Sequence, residues 1–166
     1  MKREGFHRHL YLLILTAIWA ALLVIAQVAM GFIPNGELVS LLITIFTLKY
    51  KKHALAAIYI FVLIEGVIYG FGYWWFNYLY VWTILWLMIV ILPKIDSAIY
   101  YAVILGVFGL MFGAFCSLIY FFIGGPSMAL AYFLAGIRFD FYHLIGNVVI
   151  TLILYRPLTL VMKHAK

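Results

Sequence analysis

Long apolar runs, separated by short segments that are polar or contain glycine or proline, organise this chain of 166 residues. The runs lack the regular alternation of apolar and polar positions that the strands of a membrane β-barrel show. Most of them are long enough for an apolar helix to cross a bilayer. We therefore predict an all-α integral membrane protein with six transmembrane helices, at about residues 8–31, 37–50, 54–71, 78–92, 97–123 and 140–162.

Basic residues lie at alternate ends of these runs and predict the orientation of the helices. Except for Arg138, the eleven Lys and Arg residues lie near the chain ends or in the turns after the second and fourth runs. Short cytoplasmic loops retain Lys and Arg. We therefore expect both termini and the turns at residues 49–53 and 93–96 to be cytoplasmic, and Arg138 to lie outside.

Composition favours a single membrane domain over residues 1–166. The chain is 69% hydrophobic and 10% charged, with a mean hydropathy of +1.18, which is more apolar surface than a soluble core can bury. Six spans leave no room for a soluble catalytic domain. The net charge of +6 is spread over helix ends, so we interpret it as a topology signal and a contact with anionic lipid, and expect no nucleic-acid partner. The single Cys116 excludes a disulfide within the chain and a cysteine-based metal site.

Three polar residues share one face of the sixth predicted helix. Asp140, His143 and Asn147 have the spacing i, i+3, i+7 and fall in the outer half of that helix. Polar groups in a spanning helix normally face the protein interior or water, because lipid cannot satisfy them. This face therefore predicts a pocket open to the outside; interhelical hydrogen bonding is the alternative.

Carboxylates also occur in two other predicted helices. Glu65 interrupts the third helix about two turns from its outer end, where we expect either a pocket or a structural pair with Arg138 or His143. Asn35 and Glu37 open the second helix. A carboxylate suits a helix N-terminus, so Glu37 is as well explained by capping as by a ligand contact.

The segment between the third and fourth predicted helices is rich in aromatic residues, including Trp74 and Trp75. Trp and Tyr collect at membrane interfaces, which explains part of this density. The remainder suggests a stacking surface for a flat ligand.

Small residues form seams in two helices. Gly106, Gly109 and Gly113 recur in the fifth, where they allow close internal packing. Ala17, Ala20 and Ala21 lie in the first helix, where a small-residue surface suits either an internal contact or an external partner.

The chain lacks the common catalytic and nucleotide-binding motifs. It has no phosphate loop of the Gly-x-x-x-x-Gly-Lys-Ser/Thr type, no Gly-x-Ser-x-Gly elbow and no His-Glu-x-x-His zinc helix. We therefore expect no enzymatic activity, cofactor or metal. One alternative is an intramembrane enzyme that uses Asp140, His143 and Ser127; another is a structural membrane subunit that binds no small molecule.

The chain resembles the substrate-binding S components of energy-coupling factor (ECF) transporters, which are small six-helix membrane proteins. The resemblance covers essentially the whole chain and is carried by three segments, namely Ala17-x-x-x-Ala21, the run Pro34-Asn35-Gly36-Glu37-Leu38-Val39-Ser40, and the run from Gly136 through Arg138, Asp140 and His143 to Asn147.

The resemblance implies the uptake of a vitamin or related micronutrient across a bacterial cell membrane. It implies a ligand pocket in the outer half, with the site candidates Asn35, Glu37, Glu65, Trp74, Trp75, Arg138, Asp140, His143 and Asn147. It also implies docking through Ala17, Ala20 and Ala21 onto a membrane coupling protein that two ATPase subunits drive.

The ligand is expected to be neutral or cationic, because the outer half carries more carboxylates than fixed cations. Among the substrates of the family, a cobalamin-like corrinoid is slightly preferred to a thiamine-like or pyridoxine-like compound.

Overall fold

The structure, a computed structural model, describes residues 2–31 and 38–164; these residues are mostly helical and include no strand. Its helices are α1 (Lys2–Met30), α2 (Val39–Tyr69), α3 (Tyr73–Ile91), α4 (Ala98–Leu110) and α5 (Phe112–His164). The all-α prediction is confirmed for the described residues.

Four helical stretches among the described residues are long and apolar enough to cross a membrane. They are Gly5–Met30, Val39–Tyr69, Tyr73–Ile91 and Ala98–Lys163. Their outward faces carry large apolar side chains, with Phe122 84% exposed. Apolar side chains at this density on an outer surface are expected where lipid is the solvent.

The chain reverses direction within α2. Tyr50 (φ −123°, ψ 20°) and Lys51 (φ 15°, ψ −84°) have non-helical dihedral angles. Before this break Phe46 stacks on Trp19, with ring centroids 4.7 Å apart, and just after it His53 Nδ1 lies 3.3 Å from Thr16 Oγ1. Further along, Glu65 shares a cavity with residue 27 of α1 and with residue 31, which follows that helix. The segment 52–69 therefore runs parallel to α1, whereas the segment before the break runs antiparallel to it.

A second reversal divides α5 at two glycines. Gly124 (φ −135°, ψ 15°) and Gly125 (φ 77°, ψ −170°) are non-helical, and the positive φ of Gly125 is a conformation that other residues rarely adopt. Hydrogen bonds then join Gly113 to Asp140 and Leu105 to Asn147. The partners lie progressively further from residue 125 on either side of it. This pairing defines an antiparallel helical hairpin.

Two segments that we predicted as connections are helical. Residues 73–77 form the first turns of α3, after Gly72 in an extended conformation, and residues 126–139 belong to α5. The prediction that helices begin at residues 78 and 140 was therefore wrong. Pro126 is tolerated in the first turn of a helix, and the Ala, Leu and Met residues that follow it are strong helix formers, so nothing in that segment ends the helix.

The predicted basic turns meet at one end of the bundle. Lys94 Nζ donates to the Leu48 carbonyl over 3.2 Å, and the Asp96 carboxylate lies 3.3 Å from Arg156 Nη1. We call this region the basic end. Glu65 lies twelve residues beyond His53, which places it ~18 Å along the helix from the basic end.

Candidate functional site

A cavity of about 380 Å³ lies between α1, α2 and α3, away from the basic end. We call it the Glu65 cavity. The Glu65 side chain is only 2% exposed, and its Oε1 atom has no hydrogen-bond partner among the described residues. The other lining residues are a polar residue of α1, the glycine that follows this helix and three aromatic residues, namely Gln27, Gly31, Tyr69, Trp74 and Tyr78.

Within residues 2–31 and 38–164, the structure does not pair Glu65 with a cation. Neither Arg138 nor His143 lines the Glu65 cavity, and among the described residues no ion pair involves Glu65. The structural pair that we considered from sequence is therefore absent from the described part of the chain. A buried carboxylate without a cation is costly in lipid, so the arrangement suits a group that arrives from elsewhere.

A second cavity, of about 340 Å³, lies between the two arms of the α5 hairpin. We call it the Asp140 cavity. Asp140 is 4% exposed, and its Oδ1 accepts a hydrogen bond of 2.8 Å from the backbone N–H of Gly113. Its Oδ2 has no hydrogen-bond partner among the described residues. Cys116, Tyr132 and His143 also line this cavity.

The hydrogen bond from the Gly113 N–H to Asp140 is possible because glycine has no side chain at this point. A Cβ built on Gly113 would lie 2.4 Å from Asp140 Oδ2, closer than real Cβ atoms approach a heavy atom. Any side chain here would therefore push the carboxylate away from the backbone N–H that it accepts from.

His143 and Asn147, on the same face as Asp140, have different surroundings. The His143 ring lies against Phe112, with centroids 4.8 Å apart, and borders the Asp140 cavity. Asn147 is buried, and its Nδ2 donates to the Leu105 carbonyl over 3.0 Å. Asn147 lines neither the Glu65 cavity nor the Asp140 cavity, so its geometry is that of the interhelical hydrogen bond considered as the alternative.

A row of rings connects the two cavities. Trp74 contacts Tyr78, Tyr78 contacts Trp82, Trp82 contacts Phe112 and Phe112 contacts His143, with successive centroid distances of 5.2, 5.5, 5.8 and 4.8 Å. We call this set the aromatic row. It lies between two carboxylates, Glu65 and Asp140, that the family resemblance placed in a common pocket.

Other predicted site residues lie elsewhere. Trp75 Nε1 donates to the Val62 carbonyl over 2.9 Å, and the ring packs on Phe71. Arg138 is exposed and lines neither cavity. Asn35 and Glu37 lie outside the described residues.

The alanines of α1 do not all face the same way. Ala17 and Ala21 are exposed, whereas Ala20 is buried in the core beside Trp19 and Leu23. A partner helix can therefore reach Ala17 and Ala21 but not Ala20, which reduces the predicted docking surface to two alanines.

Sequence reasoning missed two participants in these cavities. Gln27 lies in the Glu65 cavity and Tyr132 in the Asp140 cavity. Gln27 was detectable, because it is a polar residue within the apolar run of α1. Tyr132 was not, because we placed residues 124–139 in a connection.

Comparisons with protein-family models, curated proteins and solved structures found no match for this chain. Its function is therefore argued from its own residues and geometry.

Proposed function

We propose that this chain is the substrate-binding S component of an ECF-type importer, with six spans and both termini cytoplasmic. The two chain reversals, at Tyr50–Lys51 and Gly124–Gly125, support six crossings, because they divide two of the four apolar stretches into antiparallel arms. The concentration of Lys and Arg at the basic end supports its cytoplasmic placement.

The substrate class is inferred from the buried Glu65 carboxylate, which is the observation that carries this proposal. Glu65 lies among the rings of Trp74 and Tyr78, and no cation of the described residues forms an ion pair with it. Aromatic faces attract cations, and a desolvated carboxylate gains most from a cationic partner. Together they favour a positively charged, ring-bearing compound.

Size separates the substrates that the family resemblance implies. Cavities of about 340 and 380 Å³ lie at the lower limit for small-molecule sites. A corrinoid macrocycle is far larger than either, whereas one or two small rings fit. We therefore rank a thiamine-like compound first and a pyridoxine-like compound second, and we place a corrinoid below both.

Transport would require partners, since the chain has no phosphate loop with which to use ATP. Ala17 and Ala21 offer an exposed small-residue surface on α1 against which a helix of a coupling protein can pack closely. Two ATPase subunits would then drive the movement of the loaded subunit.

The geometry gives little support to an intramembrane enzyme. Ser127 lies thirteen residues before Asp140 in the same helical arm, which places them ~20 Å apart along the axis. A nucleophile and its base must come within hydrogen-bond distance. Ser127, Asp140 and His143 do not converge in this way.

Calorimetry on the purified chain in detergent tests the proposal, with thiamine, pyridoxine and cobalamin as separate titrants. We expect thiamine to bind and Glu65→Gln to weaken that binding roughly tenfold to hundredfold, since it removes a charge-assisted contact. Glu4→Gln makes the same chemical change before the first apolar run and should leave binding unaltered.

The outcomes of this experiment are distinct. Binding of thiamine that survives both Glu65→Gln and Asp140→Asn would contradict the assigned site but not substrate capture. Failure of the folded protein to bind any member of a vitamin panel would support the structural-subunit alternative instead.

A further inference from the structure

The basic end contains a cavity that nothing in the proposed import function uses. This cavity has a volume of about 510 Å³ and lies where the segment 45–49, the turn 94–96 and the end of α5 come together. We call it the basic-end cavity. It is far from the Glu65 and Asp140 cavities, so a ligand there would be a second one.

Cations dominate the rim of the basic-end cavity. Lys49, Lys94 and Lys163 line it, and Asp96 is the one carboxylate among its lining residues. Arg156 adds a fourth cation next to this rim, with Nη1 3.3 Å from Asp96 Oδ1. Lys163 Nζ lies 3.3 Å from Asp96 Oδ2. One carboxylate against four cations leaves a strong positive excess at this end.

The deeper wall of the same cavity is apolar. It consists of aliphatic and aromatic side chains from three helices and the turn 94–96, namely Ile45, Leu48, Ile95, Tyr101, Tyr155 and Met162. A site for a small soluble anion gains nothing from such a wall, because apolar surface does not solvate charge. A molecule with an anionic head and a hydrocarbon part is complementary to both regions.

The position of the cavity indicates how such a molecule would reach it. Residues 45–49 end the first arm of α2, and Ala98–Leu110 begins just after the turn 94–96, so the cavity lies where apolar helices leave the membrane. Anionic phospholipids present their phosphates at this depth and attract basic residues there.

We infer that the basic-end cavity binds an anionic phospholipid, with its phosphate among Lys49, Lys94 and Lys163 and its hydrocarbon against Leu48, Ile95 and Met162. The site is independent of the proposed import function. It would add to the polar contacts that already join these elements, such as Lys94 Nζ to the Leu48 carbonyl and Lys163 to Asp96, and would stabilise the fold in anionic membranes.

The test uses the full chain reconstituted in vesicles of pure phosphatidylcholine or of an equimolar mixture with phosphatidylglycerol. Native mass spectrometry of the protein released from the mixed vesicles should show one retained phosphatidylglycerol. Lys94→Gln combined with Lys163→Gln should reduce its retention by about thirtyfold, the effect of two cations at an anionic surface.

Two control variants show whether the loss of lipid retention is caused by the charges that line the cavity. Lys51→Gln with Lys52→Gln removes the same charge from exposed positions that do not line the cavity, and should retain the lipid. Lys94→Arg with Lys163→Arg keeps the charge and should restore retention, which would exclude misfolding as the cause.

Three results would overturn the inference. Equal lipid loss in the two glutamine pairs would indicate nonspecific attraction to the whole basic end. Equal retention of phosphatidylcholine and phosphatidylglycerol would remove the charge argument. Displacement of the lipid by inorganic phosphate at equal concentration would assign the site to a soluble phosphate compound.

Discussion

The most informative single residues are the two buried carboxylates, Glu65 and Asp140. Each is more than nine-tenths buried, and each has one oxygen without a hydrogen-bond partner among the described residues. An ionisable group kept in an apolar interior at such a cost usually serves a ligand or a pathway. This comparison identifies both residues as site candidates more firmly than their spacing in the sequence does.

Asp96, unlike Glu65 and Asp140, is a carboxylate surrounded by solvent and cations. It is exposed, lies outside the candidate spans and accepts from Lys163 Nζ, Arg156 Nη1 and the Tyr155 hydroxyl. The hydrogen bond from Lys163, with the positive charges of Lys163 and Arg156, holds the pKa of the Asp96 carboxyl below its ordinary value of 3.8. Asp96 therefore stabilises the folded state only while it is ionised.

The pH dependence of unfolding should follow from this lowered pKa. Above the unfolded-state pKa the stabilisation by Asp96 is fully present, and it is lost as pH falls through the lower pKa of the folded state. We expect Asp96→Asn to lower the unfolding midpoint at neutral pH and to match the wild-type chain in strong acid. Unfolding curves in mild detergent across this pH range measure the difference.

Lys163→Gln should shift the pH profile in the same direction as Asp96→Asn but by less, since Arg156 still pairs with the Asp96 carboxylate. Lys52→Gln, an exposed cation without a described ion pair, serves as the control and should leave the profile unchanged. An Asp96→Asn effect that persists unchanged in acid would show that the residue acts through packing and not through its charge.

Helix α4 packs closely against the second arm of α5 at its glycines. A Cβ on Gly109 would lie 2.9 Å from the backbone carbon of His143, and one on Gly106 would lie 2.7 Å from Val148 Cγ2. The Val148 methyl group can rotate away, whereas the His143 backbone cannot move without the helix. Gly109 therefore sets the spacing of the two arms.

Substitution at Gly109 should consequently be destabilising. Alanine favours helix by up to about 1 kcal/mol over glycine, but overpacking against a backbone costs about 1–3 kcal/mol. We expect Gly109→Ala to lower the free energy of unfolding, measured by titration with SDS in mild detergent. At Gly136, where a Cβ meets nothing within 4 Å, the same change should raise it. Stabilisation by both changes would contradict the close packing of the arms.

The hairpin also shows how far the sequence predicts this fold. Apolar runs and breakers correctly predicted helices over most of the chain, and they correctly ended one helix at Gly124–Gly125. They failed at residues 126–139, because a proline and a basic residue suggested a connection where the local helix propensity continues. In a membrane protein the length of a helix beyond the bilayer depends on propensity and packing, which hydropathy does not measure.

The candidate site was less predictable than the helices. Spacing on one helix correctly grouped Asp140 with His143, because residues three apart project from the same side of a helix. It could not show that Glu65 lies in a different cavity, since that depends on which helices are neighbours. Nor could it show that Asn147 belongs to neither cavity. Asn147 donates to a backbone carbonyl on α4, and every residue type has such a carbonyl.

At the scale of the whole molecule, the two ends of the bundle and the outer face of α1 carry different types of side chain. Buried carboxylates and rings lie towards one end, cations gather at the other, and Ala17 and Ala21 are exposed between apolar side chains. Substrate capture and partner docking would then use different surfaces. Mutations can therefore affect one without the other.

This separation of surfaces predicts what large side chains on the outer face of α1 would do. Ala17→Trp combined with Ala21→Trp should leave ligand binding unchanged and reduce uptake into cells at least tenfold, because large side chains prevent close helix contact. Uptake of labelled substrate and calorimetry on the same variant measure the two properties. Ala56→Trp and Ala131→Trp, at exposed alanines of other helices, are the controls.

Unchanged uptake in the α1 double variant would show that coupling uses another surface. Ala20→Trp should behave differently from both, because Ala20 is buried and a large side chain there should destabilise the fold itself.

The aromatic row gives the protein a built-in optical reporter. Trp74 borders the Glu65 cavity, and Trp82, fully buried, lies between Tyr78 and Phe112 at the centre of the row. Indole emission responds to nearby charge and to neighbouring rings, and excitation passes readily between aromatic groups this close. A cation that enters beside Trp74 would therefore quench emission without any attached dye, and its arrival could be followed in real time in an intact membrane.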